Sequence, residues 1–374
     1  MAKKIRKTTK AVGPSPLVKG RLAQCRRLMK KHGIAAMLIS KPMDAFYLIG
    51  FTGEDSAVLI LAKEVHLVSD GRFDECINQE CPWVTRWMRK GLLNNEIATV
   101  CKTLKLRRVA VQADGLSLAD YRIIDKLART TKFTDAPPIL EDMRCLKDEP
   151  ELKEMQRAIK VAQQAFLAMR KSIRVGQTEL ELAARLEYEM KKRGSSEPAF
   201  PTICAEGPNG ALPHAHPGSR KVKRGSAILF DWGARVGVYC SDLTRMVFVG
   251  SIPTKIGAVY DVVLEAQKRA IKAIEPGRKM CDVDAVARAY ITDAGYGEAF
   301  NHGLGHGLGL DVHESPSLSW RSDQKLRAGM VVTVEPGIYV PGVGGVRIED
   351  DVLVTPDGYR VLSTLNKTKT GSVI

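Results

Sequence analysis

Four carboxylates and one imidazole stand where this sequence could do chemistry: Asp231, Asp242, Glu335 and Glu349, with His306 between the two pairs along the chain. Asp231 ends the apolar run Ala227-Ile-Leu-Phe, and Val238 to Val249 reads as the strand that returns. With Val236-Gly237 as a two-residue hairpin loop, Asp231 falls directly opposite Asp242. A three-residue turn at Pro341-Gly342-Val343 likewise sets Glu335 opposite Glu349. Opposed residues hold their Cβ atoms roughly 4.5–5.5 Å apart, where like charges repel unless something neutralises them. Acids are depleted from strands, and these stand beside runs that should be buried. Two such pairs ask for cations. Two divalent ions roughly 3.5–4 Å apart, bridged by carboxylates, would satisfy all four. An oxygen-rich shell suits Mn²⁺, and the single imidazole also admits Co²⁺, Zn²⁺ or Fe.

The run Phe300-Asn-His302-Gly-Leu-Gly-His306-Gly-Leu-Gly-Leu-Asp-Val-His313 gathers three of the seven histidines among glycines, which let backbone approach a bound group closely. It has neither the GxGxxG order nor the lysine of a phosphate loop, so a nucleotide site is a poor reading. Pro213-His214-Ala-His216-Pro217 places two more imidazoles ahead of the Asp231 strand. A loop imidazole can also be simply solvated, so His214 is a candidate for the site on equal terms with a polar turn, and His216 a weaker one.

The elements that must position these groups carry an internal echo. A helix from about Pro150 to Ile173 breaks at Gly176, and a second, opened by the capping box Thr178-Glu-Leu-Glu181, runs to Arg193 with Gly194 behind it. Helix, Gly277, helix, Gly295 repeats that grammar at one constant spacing. Arg224-Gly225, the strand and Asp231-Trp-Gly233 return as Ala328-Gly329, a strand and Glu335-Pro-Gly337, also at one constant spacing. Two linked offsets indicate a duplicated domain with a site between its halves. Ahead of it, Arg21 to His32 reads as a basic amphipathic helix, and Ala35 to Ile39, Ala57 to Leu61, Val65 to Ser69 and Val109 to Gln112 as strands. This alternation indicates an α/β layer domain over 17–142, with the duplicated domain over 143–374.

A chain of 374 residues with 44% apolar composition can bury two cores. Its net charge of +15 speaks to solubility before it speaks to nucleic acid. Residues 1–16 hold five cations and nothing apolar enough to fold, so they read as a disordered tail without a secretory h-region. No run approaches the roughly 18 apolar residues of a membrane span. Eight scattered cysteines, with no CxxC pair, suit a reducing compartment, and the expected location is the cytoplasm.

The stretches FDWGARVGVYCSDLTR, HGLGHGLGLDVHESP and VEPGIYVPGVGGVRIEDD resemble the Xaa-Pro peptidases, the prolidase and aminopeptidase P branch of the methionine-aminopeptidase-like metallopeptidases. The front stretch LISKPMDAFYLIGFTG resembles the creatinase-type N-terminal domain. The resemblance implies an α/β N-terminal domain followed by an α+β pita-bread catalytic domain with pseudo-two-fold duplication. It implies that Asp231 chelates one ion, Asp242 and Glu349 bridge both, and His306 and Glu335 complete the second. It also implies that His214, His302 and His313 position substrate and handle protons, that Arg347 matches an arginine two residues before the bridging glutamate, and that Glu335 passes a proton. His216 stands where many relatives have Arg, and Val236-Gly237 where they have Asn or Asp before Gly. The implied reaction is hydrolysis of a peptide bond preceding proline, in an Xaa-Pro dipeptide or at the head of a longer chain. A proline-containing peptide would be the partner, a homodimer the assembly, and neither membrane nor nucleic acid is expected. The rivals are a metal-free creatinase-like hydrolase, a pita-bread protein turned to RNA or protein binding, and a methionine aminopeptidase. Intact residues at all five ligand positions argue against the first two, and the front domain with its VRIED signature against the third.

Overall fold

In the computed structural model residues 13–374 are described, and the chain divides into two compact units after Met143. Most of the expected basic tail lies outside the described residues. Its last residue, Pro16, already opens helix α1 (Pro16–Lys31), because the Ser15 side chain caps the helix by accepting from the Val18 amide.

The first unit alternates β1 (Ala36–Ile39), α2 (Pro42–Ile49), β2 (Ala57–Leu61), β3 (Val65–Ser69), α3 (Asp74–Glu80), β4 (Thr85–Met88), α4 (Leu93–Thr103), β5 (Arg108–Val111), α5 (Leu118–Leu127) and β6 (Lys132–Asp135). The strands form one mixed sheet in the order β4-β3-β2-β1-β5-β6. Ala36, Leu38, Leu59, Val109 and Val111 share a core with Ile97, Val100 and Cys101 of α4 and Ile124 of α5. A short helix, α6 (Ile139–Arg144), lies at the division.

In the second unit α7 (Glu149–Arg170) and α8 (Glu179–Lys192) precede β7 (Glu197–Pro198), β8 (Ile203–Glu206), β9 (Ala227–Trp232), β10 (Ala234–Val236), β11 (Tyr239–Cys240) and β12 (Leu243–Phe248). Both helices open on the capping box that their sequences announce, at Asp148 with Glu151 and at Thr178 with Glu181. Then α9 (Thr254–Lys272) and α10 (Met280–Asp293) precede β13 (Gly305–Gly307), β14 (Glu314–Leu318), β15 (Val331–Val334), β16 (Gly337–Val340), β17 (Gly344–Arg347), β18 (Asp350–Thr355) and β19 (Gly358–Val361). The central strands run β8-β9-β12 in the first half and β13-β15-β18 in the second.

Backbone bonds repeat with the sequence. Gly176 donates to the Val222 carbonyl and Gly277 to that of Leu326; Glu179 donates to Arg220 and Met280 to Gln324; Leu180 donates to Gly218 and Cys281 to Ser322. Gly176, Gly194, Gly277 and Gly295 all take positive φ after their helices, where a side chain would be strained. The duplication is thus a repeated set of hydrogen bonds as well as a repeated pattern of residue types.

Period-two burial aims the site residues. On β9 the even positions Ile228, Phe230 and Trp232 pack under α7 and α8, and Trp232 stacks on Phe166 at 4.4 Å while donating its indole N–H to the Ala162 carbonyl. Leu229 faces the other way, into the core shared with β15 and β18, and Asp231 continues that face. On β15, Val332 and Val334 join this core and leave Thr333 and Glu335 on the opposite side.

Candidate metal centre

The first hairpin departs from the expected register. Its loop is Gly237-Val238, with Gly237 at φ +60° in the first loop position, so Val236 pairs with Tyr239 and Asp231 pairs with Thr244. Asp242 is therefore a diagonal neighbour of Asp231, not its opposite. The expectation placed the glycine second in the loop, as after an Asn; the left-handed backbone falls one residue earlier along the loop. Because the slip preserves parity, both aspartates still reach one centre. A break at Gly233, whose Cβ would lie 2.0 Å from the Ser241 carbonyl oxygen, lets the two strands come together there. The second hairpin keeps its expected register: Val334 pairs with Asp350 and Gly337 with Arg347, which leaves Glu335 and Glu349 facing between the two ladders.

Ligand atoms of Asp242, His306 and Glu349 converge within 4.8 Å of one another. His306 Nε2 lies 3.6 Å from Asp242 and 3.2 Å from Glu335, while its Nδ1 donates to the Gly307 carbonyl. That second bond turns the Nε2 side of the ring toward the acids. Asp231 is held by Arg347, and Glu349 accepts at 2.7 Å from the Thr244 hydroxyl. Burial, then the neighbouring carboxylates, drives Asp242 and Glu349 well above the ordinary carboxylate range. Burial also raises Asp231 in spite of Arg347. Burial pushes Glu335 up as well, yet the hydrogen bond and charge of His306 outweigh it and bring this group down to about 2. The same pairing raises His306 against its own burial.

The remaining candidates surround this cluster in one cavity of about 600 Å³, which His214, His216, His302, His313 and Arg347 all line. The rings of His306 and His313 are 4.4 Å apart. Burial lowers His302, and burial with the charge of His306 lowers His313. A directional chain runs behind them. Arg347 donates to the Tyr339 hydroxyl at 2.7 Å, that hydroxyl donates to His302 Nε2 at 2.9 Å, and His302 Nδ1 donates to the Gly303 carbonyl at 2.8 Å.

Tyr339, Thr244, Thr333 and Asp351 belong to the same site and were not among the candidates. The Thr333 hydroxyl accepts from the His306 amide and donates to Glu335. Asp351 is fully buried, with Oδ2 3.5 Å from the Asp242 amide and Oδ1 without a hydrogen-bond partner. Strand parity could have found three of them: 333, 335 and 339 share a face, as do 347, 349 and 351. The donor set fits a divalent cation on chemistry visible here. Mutually repelling buried carboxylates meet one imidazole nitrogen, and Asp231 Oδ1 is buried with no hydrogen-bond partner.

Residues 153–356 match the model of metallopeptidase family M24, and residues 21–146 that of the creatinase/prolidase N-terminal domain. The chain belongs to metallopeptidase family M24. It is 44% identical over 345 residues to the Xaa-Pro dipeptidase of Pyrococcus horikoshii, an alignment covering 90% of this chain and 94% of that one. Among solved structures, the Xaa-Pro dipeptidase from Bacillus anthracis superimposes with a TM-score of 0.90 at 35% identity, covering 94% of this chain and 99% of that one. The X-Pro aminopeptidase from Thermotoga maritima gives 0.85 at 38% identity, over 92% and 99%. This M24 chain is accordingly a peptidase of the Xaa-Pro branch, with a creatinase-type domain ahead of a pita-bread domain, and its family works with divalent metal ions.

Proposed function

We propose that this M24 enzyme hydrolyses the peptide bond preceding proline, with Xaa-Pro dipeptides as the favoured substrates, at a centre of two divalent ions. The observation that carries the reading is the convergence of Asp242, His306 and Glu349 at a cavity that also presents His214, His302 and His313. Asp231 would hold one ion, His306 and Glu335 the other, and Asp242 and Glu349 both. Mn²⁺ is the ion we assign, from the oxygen-rich donor set.

Bound divalent cations supply acidity, lowering the pKa of water from 15.7 toward ~7. The chain's own groups do the rest. His313 donates a hydrogen bond to the oxyanion that develops on the scissile carbonyl. Glu335 accepts the proton released at the nucleophile and returns it to the departing imide nitrogen. Phe200, Pro201, Ile203 and Trp320 give the cavity apolar lining for a pyrrolidine ring, which has no N–H to satisfy. The eight cysteines are all free, which suits the cytoplasm, and no helix among the described residues is long and apolar enough to cross a membrane. A homodimer is the assembly we expect.

The test is to load metal-free protein with Mn²⁺ and follow Ala-Pro and a longer Ala-Pro-peptide by chromatography. Cleavage of Ala-Pro ahead of the longer chain is expected, and loss of both activities in Asp242→Ala. Failure to cut either substrate with two ions bound would overturn the peptidase reading; preference for the longer chain would overturn the dipeptide assignment.

A further inference from the structure

His214 sits on a loop, and loops hold position only when something fixes their backbone. The loop between β8 and the turn at Gly218 is fixed from an unexpected place, the first residue of α8. Glu179 is completely buried. One of its carboxylate oxygens accepts from the Glu206 amide at 2.7 Å and the other from the Gly218 amide at 2.9 Å, while both accept from the Asn209 side-chain amide, at 3.0 and 2.9 Å. Every one of these donors lies at the start, in the body or at the end of the segment that carries His214 and His216. In its middle the segment rests on strand β17: a Cβ on Gly345 would meet the Gly210 carbonyl oxygen at 1.9 Å, and Arg347 donates to the Pro213 carbonyl at 3.3 Å.

Helix capping does not account for Glu179. The capping box of α8 is already complete with Thr178 and Glu181. The duplication supplies an internal control, since the residue at the same place in the second half is Met280, buried in the core. The backbone bonds from that helix start recur in both halves, so they suffice to dock the helix. The carboxylate is added only in the half whose loop carries His214.

We infer that Glu179 is a positioning residue for the reaction: its buried carboxylate sets the loop from Glu206 to Gly218 and thereby places His214 in the active-site cavity. The kinetic part of this inference rests on the proposed peptidase activity; the placement of His214 does not.

Glu179→Gln is the sharpest perturbation, because all the partners are donors and the new NH2 group must face one of them. With Ala-Pro as substrate and full metal content confirmed, kcat is expected to fall on the order of 10–100-fold while KM stays near its wild-type value. Asn209→Ala, which attacks the same clamp from the loop side and leaves α8 untouched, should reproduce the pattern. In a His214→Ala background Glu179→Gln should add roughly twofold or less, since it acts through a ring already gone. Independently of activity, the His214 ring resonances of metal-free protein with ¹³C-labelled histidine should shift in both clamp variants while those of His66, in the first unit, stay in place. Multiplied losses in the double variant, or unmoved His214 resonances in both clamp variants, overturn the inference. A wild-type enzyme that cleaves neither substrate would instead refute the activity and leave the resonance test standing.

Discussion

Replacing Asp242 with Asn should stabilise the metal-free protein and remove most of its stabilisation by manganese. The carboxyl is buried and driven well above its ordinary range by that burial and by Glu349, Asp231, Glu335 and Asp351. Its ligand oxygen lies within 4.8 Å of that of Glu349. Two like charges at that separation repel by about 3.5 kcal/mol at an effective dielectric constant of about 20. A carboxyl whose folded pKa is raised contributes its full stability below the unfolded value, about 3.9, and loses it as pH climbs toward the folded value. Metal-free wild type should therefore weaken from mildly acidic pH upward. Metal-free Asp242→Asn, lacking one of the charges, should gain up to about 3 kcal/mol by pH ~8, a rise on the order of 6–12 °C in the melting of the second unit. Manganese closes most of this gap. At about 100-fold excess over its dissociation constant it should stabilise wild type by about 2.7 kcal/mol and the variant by little, because a proposed shared ligand is missing. Scanning calorimetry with chelator or with Mn²⁺, from about pH 5 to about pH 8, reads all four states. A metal-free variant that melts below wild type across this range, or an equal response to manganese in both proteins, would refute the electrostatic reasoning.

Glu314→Gln should cost about 3–5 kcal/mol in urea unfolding, because it leaves the buried Lys147 ammonium without its carboxylate at 2.7 Å and takes from Arg144 a partner at 2.5 Å. Burial opposes ionisation of Glu314, but Lys147 and Arg144 prevail and lower it, so its contribution is present above about pH 4.3 and drains as pH falls through the folded value. The variant's acid limb should be correspondingly flatter, and an unchanged urea midpoint would contradict the pairing. Gly345→Ala drives a methyl group into the Gly210 carbonyl, which as backbone cannot turn aside, so turnover should fall at least roughly tenfold with metal still bound. Full turnover in that variant would mean that the histidine loop does not rest on β17.

What the sequence disclosed, and where it stopped, can be followed through the two hairpins. Both were legible as hairpins because apolar alternation brackets a short turn with glycine. The register of the second followed from a three-residue turn that admits little choice. That of the first depended on which of two loop positions Gly237 occupies, and residue type alone does not decide this. The duplication was visible because glycines with left-handed backbone cannot drift without strain. Tyr339, Thr333 and Asp351 were readable in principle from strand parity and were passed over because none sits in a histidine or acid motif. Glu179 was different: it stood within the Thr178 to Glu181 capping box and looked like helix grammar. Only a long-range contact, bridging α8 to residues as distant in sequence as Gly218, gives it another meaning.

The repeat breaks its own symmetry at one revealing place. Counting back from His306 by the spacing that relates Gly277 to Gly176 leads to Ala205, a buried methyl group on β8. Among the proposed ligands, the second half therefore supplies nitrogen and oxygen, the first oxygen alone. On the proposed ligand assignment, two cations would meet unequal hosts, and neutralisation of the shared carboxylates by the first would change the affinity for the second.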